Sequence, residues 1–456
     1  MQKIQSLKRV LENKAVVFSV LNKSGNVLFG SINIFLISFF LSPEVQGFYY
    51  TFNSLILFQA LIDIGFGTVL SQFVSHEFAF LQVAKNGLIE GEENHKERFV
   101  ALVSIGKRWY KLLACLFLVI IGIAGSFVLL SNPQVNSKPY LLPWWILSLT
   151  TSLSMVLLPY RYIMDGMNQI AVSQKILFCG TLSGFLCSWI SMYFGAGIYS
   201  LIVYSTINLI VTFLGVLRWA KLIHNIKPPK HSELLKFWKK DFLTQQWKIA
   251  LTTISGFLMY QLFVPLLYKV SGPVAAGKMG ATLQVFNAIL VFGYLLPSLN
   301  APKMGMLGAK KKYREIMQLV NKLSLVATIA ASIMVTLILM GFWGLQYFGY
   351  ANIINRFIDL KWMALFFIAA IVMQRIATES FAVRFQKQEP YIVSSLVSSL
   401  ISALLMYILA KKYSYQGEII AFWIGTILIG LSWSHIIYNN FFKKKLNEPN
   451  HEMSNL

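Results

Sequence analysis

Charged residues are scarce in this sequence. They make up 13% of its 456 residues, and hydrophobic residues make up 56%, whereas soluble globular proteins have about 25% charged residues. This deficit excludes an ordinary soluble domain. Apolar runs of about 18 residues or more recur instead, and a helix of that length can cross a hydrocarbon core of about 30 Å. The sequence therefore predicts an integral membrane protein.

Twelve apolar runs can be distinguished along the chain. They are continuous, whereas membrane β-strands would give short segments of alternating polarity. The predicted fold is therefore an all-α polytopic membrane protein of about twelve transmembrane helices. The runs cover roughly residues 15–41, 47–75, 112–131, 142–161, 171–193, 197–217, 248–269, 280–301, 323–347, 361–384, 391–410 and 418–440.

Cysteine and histidine are also scarce. Cys115, Cys179 and Cys187 lie inside apolar runs, with no metal-ligand spacing and no external loop that could hold a disulfide. We interpret them as small core residues. The six histidines are scattered and form no H-E-x-x-H array. The sequence shows no catalytic constellation, so we expect no cofactor, no metal site and no enzyme.

Acidic residues are fewer than basic ones: 18 Asp and Glu against 40 Lys and Arg give a net charge of +22. If the N-terminus is inside, the inner segments hold 31 of the 40 basic residues. This bias follows the positive-inside rule and predicts that both termini are cytoplasmic. We interpret basic clusters such as residues 310–314 and 443–445 as orientation signals that contact lipid headgroups, and we expect no nucleic-acid partner.

Long external loops are missing. The longest polar segments, residues 76–111 and 218–247, are assigned to the inside, and the largest outer loop is about residues 131–143. Residues 218–247 form a basic linker, whose later part has the apolar stripe of a helix lying on the membrane surface. The predicted domains are an N-terminal six-helix bundle (1–217), this linker, and a C-terminal six-helix bundle (248–456).

The two halves resemble each other weakly. SPEVQGFYYTFNSLILFQ at residues 42–59 precedes the second run, and SGPVAAGKMGATLQVFNAI at 271–289 precedes the eighth. Gly47 and Gly277 are equivalent in this alignment and lie 230 positions apart, about half the chain. Six spans per half predict two repeats of the same orientation, an arrangement in which transporters build a substrate cavity between halves.

A second similarity between the two halves places basic residues at corresponding helix ends. RYIMDGMNQIAVSQ follows the fourth run and RFQKQEPYIVSS the tenth, so Arg161 and Arg384 each stand at a predicted cytoplasmic mouth. Lys248 has a similar position at the entrance of the seventh run.

The stretch 271–280 lacks one feature of a phosphate-binding loop. It reads G-x4-G-K through Gly272, Gly277 and Lys278, but Met279 occupies the position that needs Ser or Thr for magnesium. The charge distribution also places this stretch outside the cell. We interpret it as the turn that opens the eighth span and expect no nucleotide.

Two ionisable residues fall inside the first two runs, where each costs about 2.5–3.5 kcal/mol to insert. Lys23 accompanies several polar residues on the first run, and Asp63 lies near the middle of the second. Lys23 either extends to the headgroups or lines an aqueous cavity as a cation. Asp63 either forms a structural pair with Lys23 or takes up a proton during transport. Gly65 and Gly67 follow it and can loosen the helix.

Two more ionisable residues lie on the tenth run. Arg375 and Glu379 are spaced i,i+4 and therefore share a helix face, where they can pair. The pair is either self-contained and structural, or its guanidinium faces a cavity and binds phosphate bidentately. Pro297, near the end of the eighth run, predicts a kink that serves either as a hinge or only for packing.

The segment from residue 42 to residue 77 resembles the polysaccharide flippases of the MOP (multidrug, oligosaccharidyl-lipid, polysaccharide) exporter superfamily. These proteins combine a first span, a P-E-x-x-G-x-Y turn, and a second span with a D-x-G element. The resemblance extends over most of the chain through its twelve spans, basic central loop and repeated halves. The matching motif residues are Pro43, Glu44, Gly47, Tyr49, Asp63 and Gly65.

This resemblance implies two six-helix bundles that form a V around a central cavity. It implies a multi-pass protein of the bacterial inner membrane that moves an undecaprenyl-diphosphate-linked oligosaccharide to the outer leaflet by alternating access, for O-antigen, capsule or a similar polymer. The implied partners are that glycan, membrane lipids and other polysaccharide assembly proteins.

The residues support this substrate, because an anionic diphosphate needs cations and Lys23 and Arg375 provide one in each half. Asp63 and Glu379 keep a second hypothesis open, a multidrug or cation antiporter of the same superfamily. A third hypothesis, a membrane-embedded polysaccharide polymerase, lacks the sizeable outer loop that we would expect.

Overall fold

Helices dominate the computed structural model, and the predicted all-α membrane fold is confirmed. The chain divides into two compact units, Met1–Thr253 and Ile254–Leu456. The structure describes residues 14–63, 65–83, 89–133, 135–224, 251, 254–386 and 390–447.

The first unit, in its described residues, contains eight helices and a two-stranded sheet. Helix α7 packs on α1 and α8, while α6 packs on α4, α5 and α8. The elements are α1 (Lys14–Phe40), α2 (Pro43–Ile56), α3 (Gln59–Asp63), α4 (Phe66–Phe78), β1 (Leu81–Val83), β2 (Ile89–Gly91), α5 (Glu93–Leu130), α6 (Lys138–Gly166), α7 (Ile170–Tyr193) and α8 (Tyr199–His224).

The second predicted span is a broken helix. It begins with an N-cap, since the Ser42 hydroxyl accepts a hydrogen bond from the Val45 N–H at 3.2 Å and Pro43 occupies the first turn. Helix α3 ends at Asp63, and Gly65 has φ of 72°, a left-handed conformation that glycine adopts without steric cost. The segments before and after this break are bent by 43°.

The second unit has the same helical character. Residues 254–260 are helical and precede α9. Helix α9 packs on α10, α12 and α13, and α10 also packs on α12. The elements are α9 (Phe263–Ala309), α10 (Tyr313–Tyr347), α11 (Ala351–Ile354), α12 (Leu360–Arg384), α13 (Ile392–Phe422), a π-helix (Trp423–Leu431) and α14 (Ser432–Asn447).

Helix α9 reverses direction at a glycine. Gly272 has φ of 82° and ψ of −179°, a backbone conformation that only glycine adopts readily. The rings of Tyr260 and Phe286, on either side of it in sequence, lie 6.5 Å apart, so the two arms run back along each other. The chain therefore turns at Gly272, and residues 273–280 already belong to the helix of the eighth span, so the predicted turn is shorter than the stretch 271–280.

Helix α13 reverses in the same way at Ser414, which has φ of 54°. Beyond the reversal, a Cβ on Gly417 would collide with the carbonyl oxygen of Leu409, so the arms are in close contact. Further along, the Ser402 and Thr426 hydroxyls lie 3.3 Å apart across the two arms.

The twelve predicted runs fall largely on helix. Eight described helices are long and apolar enough to cross a membrane, or nine if the bent second span is counted. Two of the eight, Ile254–Val291 and Ile392–Asn447, each contain one of the reversals described above, and residues 24–40 of α1 form a further apolar helix. Positions 248–250 and 252–253 of the seventh run lie outside the described residues.

The described residues of the polar segment 76–111 are mostly helix and strand. Strands β1 and β2 pair as an antiparallel hairpin, and α5 begins already at Glu93. His95 Nδ1 lies 2.7 Å from the Glu77 carboxylate, and its ring stacks on Phe80 at 4.1 Å. These contacts join the end of α4 to the beginning of α5. In the central linker, only residues up to His224 are described, so the predicted surface helix lies outside the described residues.

The interpretation of the cysteines as core residues is wrong for two of them. Cys115 and Cys179 are exposed on their helices, and Cys187 is partly buried. The physical reason is that a transmembrane helix is apolar both toward the protein interior and toward the lipid, so an apolar neighbourhood in sequence does not identify the buried face.

Large aromatic side chains fill the interior of each unit. In the first unit, Trp144 is fully buried, packs 5.3 Å from Phe52 and donates its indole N–H to the Gly122 carbonyl at 2.9 Å. In the second unit, Phe286 stacks on Phe366 at 4.1 Å. A buried aromatic ring contributes a large apolar area, and buried Trp usually finds a hydrogen-bond acceptor.

Candidate functional site

The predicted pair on the tenth span is present. Arg375 Nε donates to Glu379 Oε1 at 2.5 Å, one turn further along α12. The Glu379 side chain is 1% exposed and the Arg375 side chain 35% exposed. The carboxylate is therefore enclosed in the unit, while part of the guanidinium reaches its surface.

Arg375 also contacts a second helix. Its Nη1 donates to Asn321 Oδ1 at 2.9 Å and to Ser324 Oγ at 3.0 Å, both on α10. These contacts and the bond to Glu379 use three of the five guanidinium N–H groups and hold its plane in one orientation. Within the described part of the chain, the two Nη2 donors have no protein acceptor.

A histidine that no sequence motif indicates completes this cluster. His435 on α14 lies with Nδ1 2.9 Å from Glu379 Oε1 and with Nε2 3.0 Å from Asn439 Nδ2. Because the Asn439 amide is a donor, Nε2 accepts, and Nδ1 carries the proton that is donated to Glu379. The one available sequence signal was the i,i+4 spacing of His435 and Asn439.

The cluster therefore joins three helices, α10, α12 and α14, around one buried carboxylate. It lies beside a buried apolar group that includes Val320, Val383 and Tyr438. A guanidinium held in this way is suited to bind an anion, since its orientation is set before the ligand arrives and its two remaining N–H groups, both on Nη2, can each donate to an anionic oxygen.

The carboxylate in the first unit has a different environment. Asp63 ends α3 at the break in the second span and accepts a hydrogen bond from the hydroxyl of Tyr110 on α5. The Tyr110 ring stacks on Tyr162 at 6.0 Å. A Cβ on Gly67 would collide with the Tyr162 ring, so this glycine permits the close approach of α4 and α6.

The predicted partner of Asp63 was Lys23. The backbone of Lys23 lies in α1, but its side chain is outside the described residues. The Lys23–Asp63 pair therefore stays a prediction, and the partners of Asp63 that the structure shows are Tyr110, the Gly67 backbone and Tyr162.

The other predicted site residues are spread over both units. Arg161 lies within α6 and is half-buried, with its Nε lacking a hydrogen-bond partner among the described residues. Arg384 is the exposed last residue of α12. Pro297 is buried in the second arm of α9, whose one non-helical residue is Gly272, so its role as a hinge stays a prediction. Lys248 is outside the described residues.

Replacing Tyr110 with phenylalanine is expected to destabilise the first unit by about 2 kcal/mol, because the Asp63 carboxylate loses a donor and stays in the span. Thermal unfolding of the purified protein in detergent measures the effect. Tyr199→Phe is the matched control, since Tyr199 is 45% exposed on α8. Equal melting temperatures of the two variants would show that the Tyr110 hydroxyl does not stabilise Asp63.

This chain resembles known proteins in its three-dimensional structure. No protein-family model and no curated protein matches the chain. An inward-facing multidrug resistance MATE family transporter of the MOP superfamily superposes with a TM-score of 0.68 at 13% identity, over 94% of this chain and 99% of that one. The lipid II flippase MurJ, in an inward closed conformation, gives 0.67 at 14%, over 94% and 90%.

A third solved structure extends this comparison. The MATE multidrug transporter DinF-BH, solved as a ligand complex, gives a TM-score of 0.61 at 15% identity, over 94% of this chain and 95% of that one. These three superpositions cover nearly the whole chain. At sequence identities this low, they show a similar fold and nothing further. The chain thus has the twelve-helix fold that these multidrug transporters share with a lipid II flippase.

Proposed function

We propose that this protein moves a prenyl-diphosphate-linked oligosaccharide from the cytoplasmic to the outer leaflet of the bacterial inner membrane, for surface polysaccharide synthesis. The transport would expose the substrate alternately to the two faces of the membrane. Both termini would be cytoplasmic, in keeping with the distribution of basic residues. The fold supports a transporter, because it is shared with exporters and with a flippase.

The observation that carries the choice of substrate is the geometry of Arg375. Its guanidinium lies within a membrane-spanning helix, is held by Glu379, Asn321 and Ser324, and keeps its Nη2 donors without a described protein acceptor. A partly exposed cation in such a place is expected to have a functional reason. The diphosphate group would bind at this free edge through charge-assisted hydrogen bonds.

The first span adds a second argument. Helix α1 contains Lys23 and no Asp or Glu, whereas a site for cationic drugs needs a carboxylate. Lys23 would provide the cation of the first half, and Arg375 that of the second. The sugar portion would then bind in a hydrophilic environment while the prenyl chain stays in lipid.

Deleting the gene is expected to abolish surface polysaccharide and to trap the lipid-linked oligosaccharide in the inner leaflet. A lectin that cannot cross the membrane, added to intact and to permeabilised spheroplasts, measures the leaflet. We expect labelling only after permeabilisation in the deletion strain. Labelling of intact deletion spheroplasts at the wild-type level would exclude the proposed function.

Complementation with Lys23→Ala is expected to reduce lectin labelling of intact spheroplasts by about tenfold or more, because an anion loses one charged partner. Lys138→Ala, at the exposed beginning of α6, is the matched control and should restore labelling. Immunoblots of membranes establish that both variants are inserted. Full labelling with Lys23→Ala would remove this residue from the proposed site.

A specific observation favours a second candidate function, cation or multidrug antiport. Asp63 places a carboxylate at a helix break inside the first unit, and two of the structures compared above are multidrug transporters. Dye efflux that is lost in Asp63→Asn, together with normal polysaccharide in the deletion strain, would support antiport over the flippase.

A further inference from the structure

A glutamate inside the second unit has no hydrogen-bond partner among the described residues. Glu418 is 0% exposed, and among the described residues neither of its carboxylate oxygens has a donor within reach. It lies four positions after Ser414, in the first turn of the arm that returns from the reversal of α13. The sequence places it at the first position of a predicted span, where a charged residue would ordinarily extend to the headgroups.

The surroundings of Glu418 are apolar. Phe422, four residues on and therefore on the same helix face, has its ring 5.7 Å from Phe263, 5.8 Å from Phe286 and 5.5 Å from Phe366. On the other side, Gly417 packs against the backbone of the preceding arm. Glu418 is thus fully buried on α13, one turn before a residue that packs on α9 and α12.

None of the described charged side chains at this end of the unit pairs with Glu418. Asp359 accepts a hydrogen bond from Tyr415 at 2.6 Å, and Lys411 lies 4.2 Å from the Tyr407 ring. Within the described residues no ion pair of Glu418 is found. The charged residues on the packed helices and their connections here are Lys269, Lys278, Arg356, Asp359, Lys361 and Lys411.

An ionised carboxylate without a partner is costly in such a site, because neither water nor a counter-charge replaces its hydration. Binding a proton removes the charge. Glu418 can therefore be ionised only when the surrounding helices separate enough to admit water. This links its protonation to a change in the packing of α9, α12 and α13.

Polar groups continue from Glu418 along the same arm. Two turns further, Thr426 lies 3.3 Å from Ser402, which also lies 3.4 Å from the Ala421 carbonyl. Thr426 belongs to the π-helix Trp423–Leu431, and π-helical turns are frequent at functional sites. Further along the same span, His435 contacts Glu379 of α12.

We propose that Glu418 is a proton-binding site that couples proton movement to the conformational cycle of the transporter, an inference that rests on the proposed transport function. In one state a water-delivered proton forms an O–H bond with a carboxylate oxygen, and the helices close over the neutral group. In the other state that bond breaks, the proton returns to water on the opposite side, and the carboxylate is left ionised. No electron transfer is involved.

Two other embedded carboxylates are less suited to this role. Asp63 is hydrogen-bonded to Tyr110, and Glu379 is bonded to Arg375 and His435. Each has partners that hold it in place and would have to be exchanged on protonation. Glu418 has no such partner in the described structure, so its charge state alone decides whether its site can stay closed.

The proton site can be tested without a substrate. Infrared difference spectra of the purified full-length protein in lipid nanodiscs, taken across a pH titration, report the carbonyl band of a protonated carboxylic acid. We expect wild type and Asp63→Asn to show a band that is lost on raising the pH, and Glu418→Gln to lack it. A band of undiminished intensity in Glu418→Gln would overturn the proposal.

Glu418→Asp provides a second variant if the glutamine variant does not insert. It keeps the carboxyl group but shortens the side chain, so we expect a band at a shifted frequency. An unshifted band in that variant would also contradict the assignment. A titration that changes with sodium concentration in wild type would show a cation site and overturn the proton assignment.

A transport measurement tests whether the proton site at Glu418 contributes to function. Glu418→Gln is expected to insert but to restore less than about a tenth of wild-type lectin labelling in the deletion strain, whereas loss of the band with normal labelling would overturn the coupling role. If the wild-type band titrates as expected but the deletion strain has normal polysaccharide, the flippase function fails and the proton site stands.

Discussion

Arg375→Ala is expected to abolish surface polysaccharide while the protein is still inserted in the membrane. The substitution removes the guanidinium whose Nη2 edge would bind the diphosphate, and charge-assisted hydrogen bonds of this kind contribute about 1.5–3 kcal/mol each. Transport should therefore fall by about tenfold or more. Lectin labelling of intact spheroplasts, normalised to the amount of protein in the membrane, measures the loss.

Arg375→Lys separates charge from geometry. A lysine keeps the positive charge but cannot bond Glu379, Asn321 and a phosphate with one rigid fork. We therefore expect intermediate labelling. Lys361→Ala, at the exposed beginning of the same helix, is the control and should behave as wild type. Wild-type labelling with Arg375→Ala would reduce the Arg375–Glu379 pair to a structural contact and remove the argument for an anionic substrate.

Glu379→Ala is expected to destabilise the second unit by about 3 kcal/mol. Removing one partner from a buried ion pair costs about 3–5 kcal/mol, and we take the lower end because the Arg375 side chain is 35% exposed. The His435 Nδ1 proton also loses its acceptor. Thermal unfolding of the purified protein in detergent is the measurement.

Two further variants test whether the loss of stability in Glu379→Ala comes from breaking the ion pair. Glu379→Gln keeps an oxygen acceptor without the charge and should lose less stability than alanine. In Arg375→Ala/Glu379→Ala the remaining charge is gone, so the double variant should be less destabilised than the sum of the two single variants. Additive losses would mean that the two side chains act independently, despite their 2.5 Å contact.

The spans and one ion pair were predictable from the residues. A continuous apolar run identifies a membrane helix without reference to any other part of the chain. The pairing of Arg375 with Glu379 follows from helix periodicity alone, because positions i and i+4 always share a face. The turn at Gly272 could be predicted as well, since this glycine precedes a proline and the surrounding stretch is similar to residues 42–51.

The partners of these residues could not be predicted in this way. Tyr110 is 47 positions from Asp63, and His435 is 56 positions from Glu379. Periodicity relates residues within one helix, whereas such contacts depend on how separate helices pack. The same limit explains the error on Cys115 and Cys179, because an apolar sequence does not show which side of a span faces lipid.

Hydrophobic length and charge bias act locally along the chain, so the amino-acid sequence was enough to identify a multi-pass helical membrane protein. Which embedded charges are paired depends on how the helices pack. Arg375 and Glu379 lie among three helices, and Glu418 is buried without a hydrogen-bond partner among the described residues. The physical reason is that burial is a property of packed helices: the reversal at Ser414 brings the arms together around a residue that, in sequence, stands at the edge of a span.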